Sequence, residues 1–245
     1  MPAFFISSSA IHDDLVTMTG DLCHHLRASL RVQIGQTIRL TDERRNRYHA
    51  MVTEMTHAKL TAHIQDRLHG PDETGPRILL AQALLKGDHM DWIIQKATEL
   101  GVHGIVPLIT HRGVVRPQAT RLAGQVSRWQ RIALEAAQQS EQWHIPDIEP
   151  PRGSRQFLME KVAPLKLMLV ERAESESLRT LPLGSDPQDA LVVAIGPEGG
   201  WSPDELTLAG EQGFRSVTLG PGILRSDTAS LAALTILQSR AGKLG

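Results

Sequence analysis

The sequence holds a single cysteine, Cys23, and a single tyrosine, Tyr48, and aromatic residues fill only 4% of its 245 positions. One thiol cannot build an internal disulfide framework or supply the cysteine pairs of a zinc site, so a reducing, cytoplasmic setting is expected. Histidines do not replace them: His24 and His25 are adjacent, with no partner at ligand spacing, and no metal is expected. No apolar run approaches the ~20 residues that span a bilayer. The start, Met1 to Ala10, has no basic stretch and no long apolar core, which predicts neither a signal peptide nor a membrane partner. Net charge is nearly absent too, at −1, which argues against indiscriminate binding of polyanions. Internal repeats and low-complexity tracts are missing.

What is present is ordinary globular composition, 41% hydrophobic and 22% charged, enough for one large domain or two modest ones. Charge is uneven along the chain. From Asp21 to Ala50 six arginines face three acids, and from His111 to Arg131 five arginines face none. Any polyanion contact would therefore be local; taken singly, each arginine reads better as a solvated group on a helix or hairpin surface.

The segment Gly70-Pro-Asp-Glu-Thr-Gly-Pro76 reads as punctuation, dividing the chain into residues 1–70, a linker over 71–76, and residues 77–245. Before it lie short β-like runs, Ala3–Ile6, Thr37–Leu40, Tyr48–Met55 and Lys59–Gln65, with one helical candidate at Asp21–Leu30. That pattern predicts a small β-rich domain, barrel or sandwich. After it the pattern alternates. Strands are predicted at Arg77–Leu84, Gly104–Leu108, Leu165–Val170 and Leu191–Ile195, and helices at Met90–Leu100, Arg121–Gln139 and Thr228–Gln238. In the long helix Leu122, Val126, Trp129, Ile132, Ala133 and Ala136 recur at spacings near three and four, one buried stripe. Alternating strands and helices predict an α/β domain with a parallel sheet covered on both faces.

Two glycine-rich turns stand between strands and helices. The first, Gly196-Pro-Glu-Gly-Gly-Trp201, follows the strand ending at Ile195 and precedes Ser202-Pro-Asp-Glu205, a capping box with proline at the first helical position. The second is Leu219-Gly-Pro-Gly-Ile-Leu-Arg225. Glycine lets a ligand approach bare backbone, and ligands of open α/β sheets sit at the carboxyl ends of strands. One such loop alone would be structural; two could line one cleft. Gly220-Pro-Gly222-Ile-Leu-Arg225 breaks the dinucleotide fingerprint at its sixth position, and no Walker-type phosphate loop appears. The residues leave an adenosine-type ligand among other possibilities.

These motifs carry a resemblance. Ile195-Gly-Pro-Glu-Gly-Gly200 followed by Leu219-Gly-Pro-Gly-Ile-Leu-Arg-Ser-Asp-Thr-Ala229 resembles the RsmE family of ribosomal RNA methyltransferases in the SPOUT superfamily. His24-His-Leu-Arg27 with Leu30-Arg31, Gln95-Lys-Ala-Thr-Glu-Leu-Gly-Val102 with Pro107, and Arg131-Ile-Ala-Leu-Glu-Ala-Ala137 with Gln139-Ser140 match in family order, over nearly the whole chain. The resemblance implies a PUA-like RNA-binding β-barrel followed by a SPOUT-type α/β domain with a trefoil knot. It implies S-adenosylmethionine as cofactor, a homodimer, and N3-methylation of a uridine in the decoding region of 16S ribosomal RNA on the small subunit. A related enzyme acting on another RNA position, or a catalytically silent RNA-binding or assembly protein, is the alternative. Four positions depart from the family pattern: Gly222 and Gln142 stand where it has Arg, Asp227 and Gln138 where it has Glu.

Under this resemblance the cofactor walls would be Ile195, Gly196, Pro197, Glu198, Gly199 and Gly200 on one side and Leu219, Gly220, Ile223, Leu224 and Arg225 on the other. Leu169, Val170 and Glu171 would close the third side. Arg225 is the candidate for stabilising charge on the reacting base, with a loop-bracing pair to Asp227 or Glu198 as its structural alternative. Glu198 is a candidate base, but near a helix start it would be held as an anion, which favours an orienting role. His24, Arg27, Arg31 and Arg39, with Arg112 and Arg116, are the candidate RNA contacts.

Overall fold

The computed structural model describes residues 2–171, 175–184, 186 and 189–244. The chain groups into two compact units, Met1–Asp72 with Ala137–His144, and Glu73–Ala136 with Ile145–Gly245. The return of Ala137–His144 to the first unit has no counterpart in the linear division read from the sequence.

The first unit is one sheet of six strands: β1 (Ala3–Phe5), β2 (Ile11–His12), β3 (Leu15–Thr19), β4 (Thr37–Thr41), β5 (Asn46–Met55) and β6 (Lys59–His69). Their order is β1-β4-β5-β6-β3-β2, antiparallel except for the β1–β4 pair. Register shifts between His49 and Ala50 and between Val52 and Glu54 are bulges that bend β5. Helix α1 (Gly20–His24) runs into one π-helical turn, His25–Ser29, where a single helix was expected. Phe4, Leu26, Ile38, Leu40 and Leu60 are the largest fully buried side chains of this unit's core. The sequence reading missed β3, whose inward Val16 and Met18 make a period-two signal only five residues long. It also stopped β6 at Gln65; the added residues through His69 are exposed, and backbone pairing to β5 rather than burial keeps them extended.

Two arginines hold Ala137–His144 to this sheet. Arg39 forks onto the Glu141 carboxylate, at 2.7 and 2.5 Å. Arg47 stacks 3.9 Å from the Trp143 ring centre and donates to the carbonyls of Glu141 and Gln142.

The second unit is an eight-stranded, wholly parallel sheet. It comprises β7 (Arg77–Ala83), β8 (Gly104–Ile109), β9 (Asp147–Ile148), β10 (Arg152–Gly153), β11 (Leu165–Leu169), β12 (Glu176–Ser177), β13 (Ala190–Ile195) and β14 (Arg215–Thr218). The order is β10-β8-β7-β13-β11-β14-β12, with β9 also on β8. Alternation along β13 shows why it is buried on both sides: Leu191, Val193 and Ile195 join one core, Val192 and Ala194 the other. The first core is covered by α2 (His89–Glu99), α3 (Ala119–Gln139) and α6 (Ser226–Arg240), through side chains such as Ile93, Trp129 and Leu234. The second is covered by α4 (Ser154–Leu158) and α5 (Pro203–Glu211), through Phe157, Leu158 and Ala209. Truncating Ile93, Leu158 or Leu234 to alanine should cost roughly 2–5 kcal/mol. Sequence reading missed the short β9, β10, β12 and α4, none longer than five residues.

Candidate functional site

Strand order places the site. β13, β11 and β14 are consecutive neighbours, with Leu165 beside Leu191 and Leu169 beside Val217. Because all run the same way, their carboxyl ends open side by side, the position where open α/β sheets hold ligands. One cavity of about 520 Å³ lies there, within the range of small-molecule sites. The turn after β11 lines it with Leu169, Val170 and Glu171, and the turn after β13 with Gly196 through Trp201. Beyond β14 the lining is Thr218, Leu219 and Gly222 through Ser226, completed by Arg112, Leu206 and Ala229. Gly199 and Leu224 therefore share one hollow. Of the cofactor residues expected from the sequence, Gly220 alone does not line it; its φ of +134° instead turns the loop, braced by the Thr218 hydroxyl.

Each wall is pinned through a main-chain carbonyl. The Trp201 indole N–H donates to Leu169 O at 3.0 Å, tying the first loop to the end of β11. The same ring lies under Gly196, where an added Cβ would be 3.1 Å from the indole nitrogen. Arg112 donates to Gly199 O at 3.3 Å, and its own Cβ would sit 3.3 Å from a Cβ at Gly199. A tight turn, Gly200 N–H to Pro197 O at 2.9 Å, needs the left-handed φ of +69° at Gly200. The Ser226 hydroxyl donates to Gly196 O at 2.6 Å, joining the second loop to the first.

The helix start after the first loop holds a buried anion, but it is Glu205 rather than Glu198. Ser202 caps α5 with proline next, and Glu205 completes the capping box. Only 2% exposed, the Glu205 carboxylate accepts from Ser202 N–H and hydroxyl, both at 2.9 Å, from the Ser154 hydroxyl at 2.6 Å and from His111 N–H at 3.0 Å. Burial pushes its pKa up, yet these hydrogen bonds outweigh burial and hold it below the ordinary value of 4.5. Through His111 it fixes the turn that carries Arg112. Glu198 is exposed and, among the described residues, makes no hydrogen bond or ion pair.

The Arg225 guanidinium likewise has no hydrogen bond or ion pair among the described residues; the residue's main-chain carbonyl accepts from Ala229 N–H at 2.8 Å. The bracing pairs weighed for it do not form: Asp227 instead meets His89 at 2.9 Å. Burial pushes the Asp227 carboxyl up, but the Thr228 N–H and His89 outweigh it and hold it low. A cationic guanidinium thus faces the cavity without an internal partner.

The candidate RNA contacts are placed differently. His24 and Arg31 are exposed, and Arg27 meets the His57 ring at 2.9 Å. Arg39 is committed to Glu141. Arg116 closes its own turn, donating to His111 O and Val115 O, whereas Arg112 reaches the cavity. Among the described residues, no group of three or more His, Cys, Asp or Glu gathers as a metal would need, and no helix is long and apolar enough to cross a membrane. Sequence reasoning missed Trp201, Ser226 and Gln82. A polar side chain inside the apolar run Ile78–Leu85 was the available signal for Gln82.

Fold and site together define an α/β enzyme class that seats a small ligand on bare main chain where parallel strands end. Residues 73–238 match the RNA methyltransferase domain family, and residues 19–65 the RNA methyltransferase PUA domain. The chain belongs to this family of RNA methyltransferases. Ribosomal RNA small subunit methyltransferase E of Synechocystis sp. is 35% identical over 231 residues, covering 94% of this chain and 74% of that protein. The Bacillus subtilis protein of the same name is 29% identical, over 90% of this chain and 88% of its own. The crystal structure of ribosomal RNA small subunit methyltransferase E from Neisseria gonorrhoeae, bound to S-adenosylmethionine, superposes with a TM-score of 0.86 at 33% identity, over 98% of both chains.

Proposed function

We propose that this protein is a cytoplasmic, homodimeric S-adenosylmethionine-dependent methyltransferase that methylates N3 of a uridine in the decoding region of 16S ribosomal RNA. The observation that carries this reading is the cavity of about 520 Å³ that gathers both glycine loops and the end of β11. Its walls suit the cofactor chemically. Val170, Ile195, Leu219 and Leu224 offer apolar surface for an adenine ring, and Gly196, Gly199 and Gly200 expose main chain to polar groups. The knotted path belongs to the same reading: after β14, outside β11, the chain returns so that α6 packs against β7, β13 and α2.

S-adenosylmethionine, when bound, supplies an electrophilic methyl group on a sulfonium centre. The protein's part is to hold the uracil N3 in line with that methyl and to exclude water. N3 must lose its proton to attack, and the charge then spreads onto the uracil carbonyl oxygens. Arg225, unpaired at the cavity, stabilises that charge. Glu198, unpaired and exposed at the rim, orients the base or relays its proton outward. His24, Arg27 and Arg31 of the first unit, and Arg112 of the second, contact RNA phosphates, which grip the strand but carry no sequence information.

Mass mapping of modified nucleosides in 16S ribosomal RNA tests this reading. Cells lacking the gene should lose one N3-methyluridine, and the wild-type gene should restore it. An unchanged map refutes the target. An unchanged map together with no S-adenosylmethionine binding leaves a silent RNA-binding protein.

A further inference from the structure

We infer that Gln82, Ser226 and Ser230 form a buried clamp that sets the spacing of the two glycine loops, with Ser226 as the positioning residue for the cofactor. This rests on the functional reading above. Gln82 and Ser230 are both 0% exposed and Ser226 is 7% exposed, so three polar side chains occupy core positions that apolar groups would fill at no desolvation cost.

The proton directions at Gln82 and Ser226 are determined. The Gln82 amide nitrogen faces the Ala83 carbonyl at 3.1 Å, an acceptor only, so it is the donor end. The same nitrogen donates to Ser226 Oγ at 3.1 Å, and the single Ser230 hydroxyl proton is shared between the Gln82 amide oxygen at 2.5 Å and the Ser226 carbonyl at 2.8 Å. Having accepted from Gln82, Ser226 gives its one proton to Gly196 O at 2.6 Å. A residue of β7, which does not line the cavity, thereby fixes the first residue of α6 against the first residue after β13. Arg225 precedes Ser226 directly, so the same link sets where the unpaired guanidinium stands. A fully satisfied buried network of this kind specifies one arrangement where apolar packing would allow several.

The test compares Ser226→Ala, Ser226→Thr and Gln82→Met by calorimetric titration with S-adenosylmethionine, well below the melting temperature, alongside thermal unfolding. Ser226→Ala should bind about tenfold more weakly, because it leaves Gly196 O and the Gln82 donor unpaired. Gln82→Met, remote from the cavity, should also weaken binding, and Ser226→Thr, which keeps the hydroxyl, should restore it. The KM for RNA should stay near wild type in all three. A purely structural role would lower the melting temperature and leave cofactor affinity intact. Wild-type affinity in both Ser226→Ala and Gln82→Met overturns the clamp while the methyltransferase reading stands; a wild type that binds no S-adenosylmethionine overturns both. Should Ser226→Ala fail to fold, the Gln82→Met and Ser226→Thr pair decides alone.

Discussion

Glu205→Ala removes one carboxylate that four donors converge on. Two are hydroxyls, on Ser154 and Ser202, which can rotate to other acceptors. The other two are backbone N–H groups, of Ser202 and His111, which cannot turn away. Each stranded buried amide costs about 1–3 kcal/mol, so the loss should be about 2–6 kcal/mol. For a chain of this size each kcal/mol shifts the melting temperature by about 2–4 °C, so a loss of about 4 kcal/mol lowers it by about 8–16 °C. The damage is directed as well as large. Releasing His111 loosens the turn of Arg112, which donates to Gly199 O, so S-adenosylmethionine should bind several-fold more weakly at a temperature where the variant is folded. Glu205→Gln should lie between alanine and wild type, because its amide nitrogen must face a donor whichever way it is turned. Thermal unfolding with calorimetric titration reads both effects. A melting temperature lowered by less than about 2 °C would refute the hydrogen-bond count, and unaltered cofactor affinity in a destabilised variant would refute the link to the loop.

Arg225→Ala should nearly abolish methyl transfer, measured with labelled S-adenosylmethionine, while cofactor affinity stays within about threefold, since a transition-state contact lowers turnover rather than binding. Gly199→Val should remove cofactor binding in calorimetry, because even its Cβ would sit 3.3 Å from Arg112 Cβ and 3.4 Å from Arg112 O, and the branch beyond it enters the cavity. Acid should destabilise the second unit with a definite sign. Glu205 and Asp227 both have folded pKa values below the ordinary 4.5 and 3.8. Their stabilisation is therefore complete above those values and is lost as pH falls through the lower folded ones. Melting temperatures recorded from pH 7 downward should show that fall, and Glu205→Gln should flatten it.

Most of the α/β pattern was legible because buried parallel strands write themselves as apolar runs. Leu191–Ile195 and Arg77–Leu84 were read within a residue of β13 and β7. The capping box at Ser202 to Glu205 was legible because its chemistry is local in sequence. Short edge elements such as β9, β10 and β12 were not, since two-residue pairings leave no periodicity. The glycine loops could be seen to be ligand-competent, but their meeting depends on β13 and β14 flanking β11, an order that no local signal encodes. For the same reason Ser226 and Glu205 were invisible as organisers: the partners that tie them to other elements, such as Gly196, Gln82 and Ser154, lie 30 to 144 residues away along the chain. Arg39 shows the converse. Its sequence setting suggested a free cation, and only the fold brings Glu141 to it.

The crystal structure of the protein with S-adenosylhomocysteine tests the shared cavity most directly. The ligand should lie between Gly196–Gly200 and Leu219–Leu224, its sulfur open toward the Arg225 guanidinium. Density for the ligand at any other place, with these loops bare, would contradict the assignment of this cavity to methyl transfer.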